Sequence, residues 1–461
     1  MKKLLLVFLA CATYPTLQAQ TFVNRGAPVA VTTGGLMIVK TDGVTTGSGS
    51  LENDAAYQGS TTGVFKNKGT VIVEGSFVNT SGVADGYAAS TGQYFVQQDW
   101  INNATFTADQ SLVTLYGTDQ SIVGPTTFYN LTDSSPITLG TKTQTTDDIT
   151  VSNVLWLSNS EHATLGNVLT VTNADPAAIV ENSVNDGYVS STGLGRLVRN
   201  TNQKAEYIFP TGIGSTNGNV TKIRELSVVP ANTTARYYKV RFAENASPST
   251  STTSDDGYDT IKKSGGIQEV NDVYYHLVTA SDFSPADLSI YTNPAVDNAW
   301  TSIGRWQNVP EWENLQDVAI GPDTRNGGLS GRIKMTKGAW TPTTDTVFAL
   351  VDTIPITKDF SFPTAFVGDC QTCTGTTPSD GNNGVFGIIN QGGIVKVDQL
   401  LVFNRWGETV FDSKRDGTDV WNGHFRGKLQ AEGNYVYLAK VRNIQSNKEY
   451  PTVTGNVSLL W

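Results

Sequence analysis

Histidine, cysteine and methionine occur only three times each in 461 residues, and charged side chains make up 16% of the chain. An ordinary soluble domain carries about 25% charge. So few histidines argue against a histidine-rich metal centre, and so few cysteines against a disulfide-stapled scaffold. Apolar residues nowhere recur at i, i+3, i+4, i+7 for long, which excludes a helical bundle. With 32 basic against 42 acidic residues the net charge is −10. Phosphate would repel such a chain, so no nucleic-acid partner is expected. No apolar run approaches the ~20 residues that span a bilayer, so no transmembrane segment is expected. What the chain has instead is 45 Gly and 60 Thr. Threonine suits strands and glycine suits tight turns, so the expected fold class is all-β.

Residues 1–19 read as a signal peptide. Lys2 and Lys3 precede an apolar run from Leu4 to Ala10, and Ala19 offers a small residue at the cleavage point, leaving Gln20 first. Ala10-Cys11 leaves a lipoprotein signal as a second reading, poorly matched by Phe8 and Leu9. Loss of Lys2 and Lys3 makes the net charge 30 − 42 = −12. Charge then falls in blocks: −8 over 21–200, −4 over 201–356 and zero over 357–461. Three balances support three regions.

Residues 20–184 are expected to form a parallel β-solenoid-like repeat. Short β-rich runs carry Asn67, Asn102, Asn130, Asn153 and Asn167 at irregular spacing, as rungs with loops of varying length would. An asparagine at the corner of one rung can hydrogen-bond to the asparagine above it. A β-sandwich with asparagine in its turns is the alternative. Residues 185–356 read as an antiparallel β-sandwich, with strands near 194–198, 205–209, 225–229, 237–242, 273–278, 288–291 and 346–351.

Residues 357–461 read as a small immunoglobulin-like antiparallel sandwich. A strand from Val397 to Asn404 turns at Arg405-Trp406-Gly407-Glu408 and returns through Thr409-Val410-Phe411. Trp421-Asn422-Gly423 follows, and Gly433 opens the strand that carries Tyr435-Val436-Tyr437. A last strand runs from Gly455 to Trp461.

Those residues resemble the gliding-motility-associated C-terminal domain of Bacteroidota, the type B sorting domain of the type IX secretion system. Asn404, Arg405, Trp406, Gly407, Trp421, Asn422, Gly423, Gly433, Tyr435, Val436 and Tyr437 carry the likeness, with Phe362-Pro363-Thr364-Ala365-Phe366 leading into it. The resemblance implies export through the periplasm to the outer cell surface or the medium. It also implies two partners, the type IX translocon and an outer-membrane protein. The family's Asp/Asn/Gly-rich loop departs here to Thr377-Pro378-Ser379-Asp380-Gly381-Asn382-Asn383-Gly384. Asp380, Asn382 and Asn383 make a calcium candidate with few oxygens, against a turn that bonds its own backbone; otherwise no cofactor is expected. Cys370 and Cys373, in an insertion before that loop, could be a redox pair or half a zinc site. Zinc lacks two further ligands and a redox pair lacks its helix, so in an oxidising exterior a local disulfide is expected.

No Gly-x-Ser-x-Gly elbow, His-Glu-x-x-His helix or phosphate-binding Gly-Lys-Ser/Thr occurs. No catalytic residue is therefore named and the chain is expected not to be an enzyme. Trp300, Trp306 and Trp312 could form a platform for surface glycans, or could be core. Two functional readings follow: a non-catalytic adhesin-like or matrix protein that meets glycans or other cells, and a secreted carbohydrate-active protein.

Overall fold

A computed structural model describes residues 21–42, 48–54, 64–85, 92–136, 140–181, 187–191, 193–214, 223–244, 258–264, 266–307, 311–325, 331–342, 345–353, 360–368, 377–378, 383–390, 395–443, 450 and 452–460. Residues 1–19, expected to be a signal peptide, lie outside the described residues. Strands dominate: among the described residues the only α-helical segments are the four-residue turns Pro294–Asp297 and Ser413–Asp416. The chain divides into two compact units, Met1–Asp352 and Thr353–Trp461.

In the first unit the chain deals its early strands in rotation onto three parallel sheets. Phe22–Arg25, Val29–Val31 and Leu36–Val39 each start one sheet. Leu51–Asp54, Val64–Asn67 and Thr70–Val73 then lie beside them in the same order. The cycle repeats through Phe77–Ser81, Val83–Asp85 and Gln93–Val96. The second of these sheets ends at Thr105–Thr107. Beyond it, the longer strands Thr126–Ser134 and Ile149–Ser158 carry the third sheet onward.

Alternation along each strand decides what faces inward. In Thr70–Val73, Val71 and Val73 are fully buried while Thr70 and Ile72 are half-buried. Parallel register then stacks like on like. Val71, Tyr94, Val113, Leu131 and Leu155 form one fully buried column. The outward face carries its own row in register: Ile38, Ile72, Phe95, Thr114, Thr132, Trp156 and Val180. Close stacking of turns also forbids side chains at some corners. A Cβ on Gly117 would sit 1.9 Å from the Gln97 carbonyl oxygen, so only glycine fits there.

The asparagine ladder exists, but its membership differs from expectation. Asn24, Asn53, Asn79 and Asn102 are buried and in register. Each side-chain amide donates to the next Oδ1, at 2.9, 2.9 and 2.8 Å. The Asn102 amide ends the row on the Thr126 hydroxyl, 3.1 Å away. A second, shorter row links Asn173 to Asn153 and Asn153 to Asn130. Asn67 instead closes a turn, accepting from the Gly69 N–H and donating to the Gln93 carbonyl. Asn167 donates to the Gln144 carbonyl. A buried amide left unpaired costs roughly 1–3 kcal/mol, so each row is held by mutual satisfaction.

The third sheet does not stop at 184. Val168–Val171 pairs in parallel with Arg196–Thr201, which in turn pairs antiparallel with Arg236–Glu244. The sheet continues through Tyr274–Ala280, Asp345–Thr353, Ser302–Trp306 and Trp312–Asn314, and holds 15 strands among the described residues. A five-stranded antiparallel sheet holds Tyr207–Phe209, Leu226–Pro230, Ala286–Thr292, Ile333–Trp340 and Val318–Pro322. Side chains of both sheets, Val228 and Ile290 from one and Val240 and Phe348 from the other, share one core with the parallel region. The expected change of architecture near 185 is thus a reversal of strand direction at Arg196–Thr201 within one hydrogen-bonded sheet.

The second unit has its own core. Its five-stranded sheet runs in the order Ala365–Val367, Val453–Leu460, Gly433–Asn443, Val395–Phe403 and Thr409–Asp412. The first pair is parallel and the others antiparallel.

Candidate functional site

The residues of the C-terminal motif separate by what they touch. Trp421, 1% exposed, packs on Tyr435 and Phe366 with ring centroids 4.9 and 5.3 Å apart. Its indole N–H donates to the His424 carbonyl at 2.9 Å, which satisfies the one polar atom of the ring. Tyr437 lies against Phe362 and Phe386 and across its register partner Gly455. A Cβ at Gly455 would come within 2.6 Å of the Tyr437 hydroxyl, so that cross-strand pair needs glycine. Gly423 and Gly433 hold positive φ of 86° and 144°. Asn422 Oδ1 accepts from the His424 backbone N–H.

Asn404 builds a turn. Its Oδ1 accepts from the backbone N–H groups of Trp406 and Glu408, both at 3.0 Å, and its amide donates to Glu408 Oε2. Gly407, at φ 77°, closes the turn onto the Asn404 carbonyl. Two large apolar members of the motif face away from the core: Val436 is 48% exposed and Trp406 83%. Arg405 lies 5.7 Å from the Trp406 ring.

Of the two readings of the tryptophans, glycan platform or core, their surroundings favour core. Trp300 and Trp312 are buried, and Trp312 meets Trp306 edge-on at 5.4 Å with Tyr258 beside both. Antiparallel pairing of Ser302–Trp306 with Trp312–Asn314 turns these rings onto each other. Only half-buried Trp306 retains open surface, so the three do not present a flat row to a sugar. Cys370, Cys373, Asp380 and Asn382 lie outside the described residues. Asn383 is exposed, and its carbonyl accepts from the Val367 N–H. Among the described residues no group of three His, Cys, Asp or Glu side chains could hold a metal.

Sequence reasoning missed two buried polar clusters. In the first, His162 Nδ1 meets Asp133 Oδ2 at 2.7 Å and Nε2 meets Gln144 Oε1 at 3.3 Å, with all three residues fully enclosed. The His–Asp contact has the form of a catalytic pair. Here the second ring nitrogen is occupied by an amide rather than a nucleophile, and no substrate can reach it. Lys142, also enclosed, donates to the Gly117 and Thr118 carbonyls; burial lowers its pKa to about 8.

The second cluster surrounds Tyr291. Arg325 lies 4.1 Å from its ring centroid, with Arg332 and Lys334 close by. Glu225 takes both arginines, while Glu206 takes Lys334 and the Tyr291 hydroxyl. Burial pushes the Glu225 carboxyl up, but a hydrogen bond with Glu181 and the two guanidiniums more than offset it, and its pKa lies below the usual range. The cluster ties sheet to sheet.

His276 supplies a pH prediction. It is fully buried, its Nε2 bonds the Arg224 carbonyl at 3.0 Å, and burial lowers its pKa to about 4 from 6.5. The unfolded chain therefore binds this proton more readily between pH 6.5 and 4. Stability is intact above 6.5 and falls as pH drops through that window, by up to about 3 kcal/mol. Urea melts at pH 7 and pH 4.5 should show a smaller loss in His276→Gln than in the parent. Equal losses would contradict the assignment.

No curated protein and no solved structure matches the chain. One family model does match. Residues 371–457 match the CHU_C type IX secretion signal domain, and that domain marks the chain for export by the type IX secretion system to the cell surface or the medium.

Proposed function

We propose that this is a non-catalytic protein, adhesin-like or a matrix component, displayed on the cell or released from it. On this reading the parallel sheets of the first unit wind as a β-solenoid that passes into a β-sandwich, and the second unit is an immunoglobulin-like address domain recognised by the translocon and an outer-membrane protein. The observation that carries it is the rotation of successive strands onto three parallel sheets. Stacked rungs build length and repeat the same flank, which suits reach and attachment better than turnover. Ile38 and Val180, at either end of the outward row, are 44% and 38% exposed. No cofactor is required.

One observation favours the rival reading of a carbohydrate-active protein. Beside the half-buried Trp156 ring lies a cleft of about 500 Å³ lined by Leu112, Thr132, Ser158, Val180 and Glu181. An indole flanked by hydroxyls and a carboxylate is a surface on which a sugar ring can stack. Two measurements separate the readings. Surface attachment by a deletion strain should fall and return with the intact gene, while the purified protein turns over no polysaccharide, peptide or ester. Polysaccharide retention that Trp156→Ala abolishes would favour the rival as a binding module. Steady turnover lost on changing one carboxylate pair would favour it as an enzyme.

A further inference from the structure

We propose that the Asn404–Glu408 turn is the contact by which the export machinery grips the second unit, with the Trp406 indole as anchor and Arg405 as its charged flank. This inference rests on the export reading and names the surface that serves it.

Trp406 is 83% exposed, more than any other large apolar side chain among the described residues. The other tryptophan of the motif, Trp421, is 1% exposed and accounts for core packing. Trp406 contributes nothing comparable to the fold, yet its backbone is firmly held. Asn404 Oδ1 takes two N–H groups, the Gly407 N–H bonds the Asn404 carbonyl at 2.9 Å, and the Asn404 N–H bonds the Glu408 carbonyl at 3.0 Å. A ring presented on a fixed turn loses little freedom on binding. Tryptophan and arginine are the side chains most enriched where interfaces concentrate their energy.

Charge indicates what the ring meets. Among the described residues Arg405 has no ion-pair partner; its guanidinium lies by the indole at 5.7 Å. Glu408, the acid within the turn, is engaged by the Asn404 amide. The tip thus offers one apolar ring and, beside it, one guanidinium that forms no salt bridge among the described residues. The complementary surface is a protein slot that is apolar at its base and carries carboxylates at its rim. A membrane interface is the less suitable occupant. It gains from several apolar side chains together, whereas this turn offers one, two residues from a fixed carboxylate.

The test uses the full chain in a bacterium with a type IX system, measured by fractionation into medium, surface and periplasm. Trp406→Ala and Arg405→Glu should each lower the exported fraction at least ten-fold and accumulate folded protein in the periplasm, whereas Trp406→Phe should lower it less than three-fold. Because Trp406 is exposed, the purified Ala variant should melt with the parent. Normal export of both variants, alongside retention of a chain lacking 357–461, would overturn the assigned surface and leave the export reading intact. Normal export of the truncated chain would remove both. Co-sedimentation of the parent, but not Trp406→Ala, with phosphatidylglycerol vesicles would assign the ring to a membrane and overturn the proposal.

Discussion

Asn53→Ala is expected to destabilise the first unit by about 3–5 kcal/mol, far more than an ordinary surface change. Asn53 is 0% exposed and stands in mid-ladder, accepting from Asn24 and donating to Asn79. Removing its amide leaves the Asn24 N–H and the Asn79 Oδ1 without partners, each at roughly 1–3 kcal/mol. Asn79 is enclosed between two rungs, and Asn24, though on the first strand of its sheet, is only 2% exposed, so neither orphan turns readily to water. Asn53→Asp should be worse. A carboxylate can still accept from Asn24 but cannot donate to Asn79, and it carries charge into an enclosed column. Asn53→Leu should not rescue, since both orphans remain. The two units have separate cores, so denaturant melts should show the first unit's transition shifted and the second unit's unchanged. A shift under about 0.5 kcal/mol for Asn53→Ala would mean that the ladder carries little of the stability assigned to it.

The ladder also marks the limit of what could be read from residues alone. Stacking of asparagine on asparagine follows from strand chemistry, and Asn102, Asn130 and Asn153 do take part. Asn24, Asn53 and Asn79 escaped notice, although each follows an apolar residue by two positions, in Phe22-Val23-Asn24, Leu51-Glu52-Asn53 and Phe77-Val78-Asn79. Trp100-Ile101-Asn102 completes that series, so a recurring apolar-x-Asn triplet was the available signal. The strands expected after 185 fall within a few residues of those found, because alternation and turn residues are local. The continuous sheet across Arg196–Thr201 was not legible, since backbone hydrogen bonds join parallel and antiparallel neighbours whatever the side chains are. His162, Asp133 and Lys142 occupy positions that a hydrophobic pattern reserves for apolar residues. Their partners lie 18–29 residues away, so only the fold discloses that they are satisfied. Burial of Trp300 and Trp312 likewise depends on tertiary packing rather than on their spacing.

Deleting residues 357–461 is expected to abolish export while leaving the first unit folded. The first unit buries its apolar residues in a core that includes no residue beyond 352, so truncation should not unfold it. What the deletion removes is the match to the type IX secretion signal domain over 371–457, together with the turn at Asn404–Glu408. Retention should therefore reflect a missing address and not a misfolded chain. A misfolded product would instead be degraded, so its abundance and protease resistance discriminate between the two causes. The direct measurement is fractionation of cells producing the intact and the truncated chain side by side. Intact protein should be found at the surface or in the medium, and truncated protein at equal abundance, folded and confined to the periplasm. Truncated protein reaching the surface or medium as readily as the intact chain would contradict this expectation.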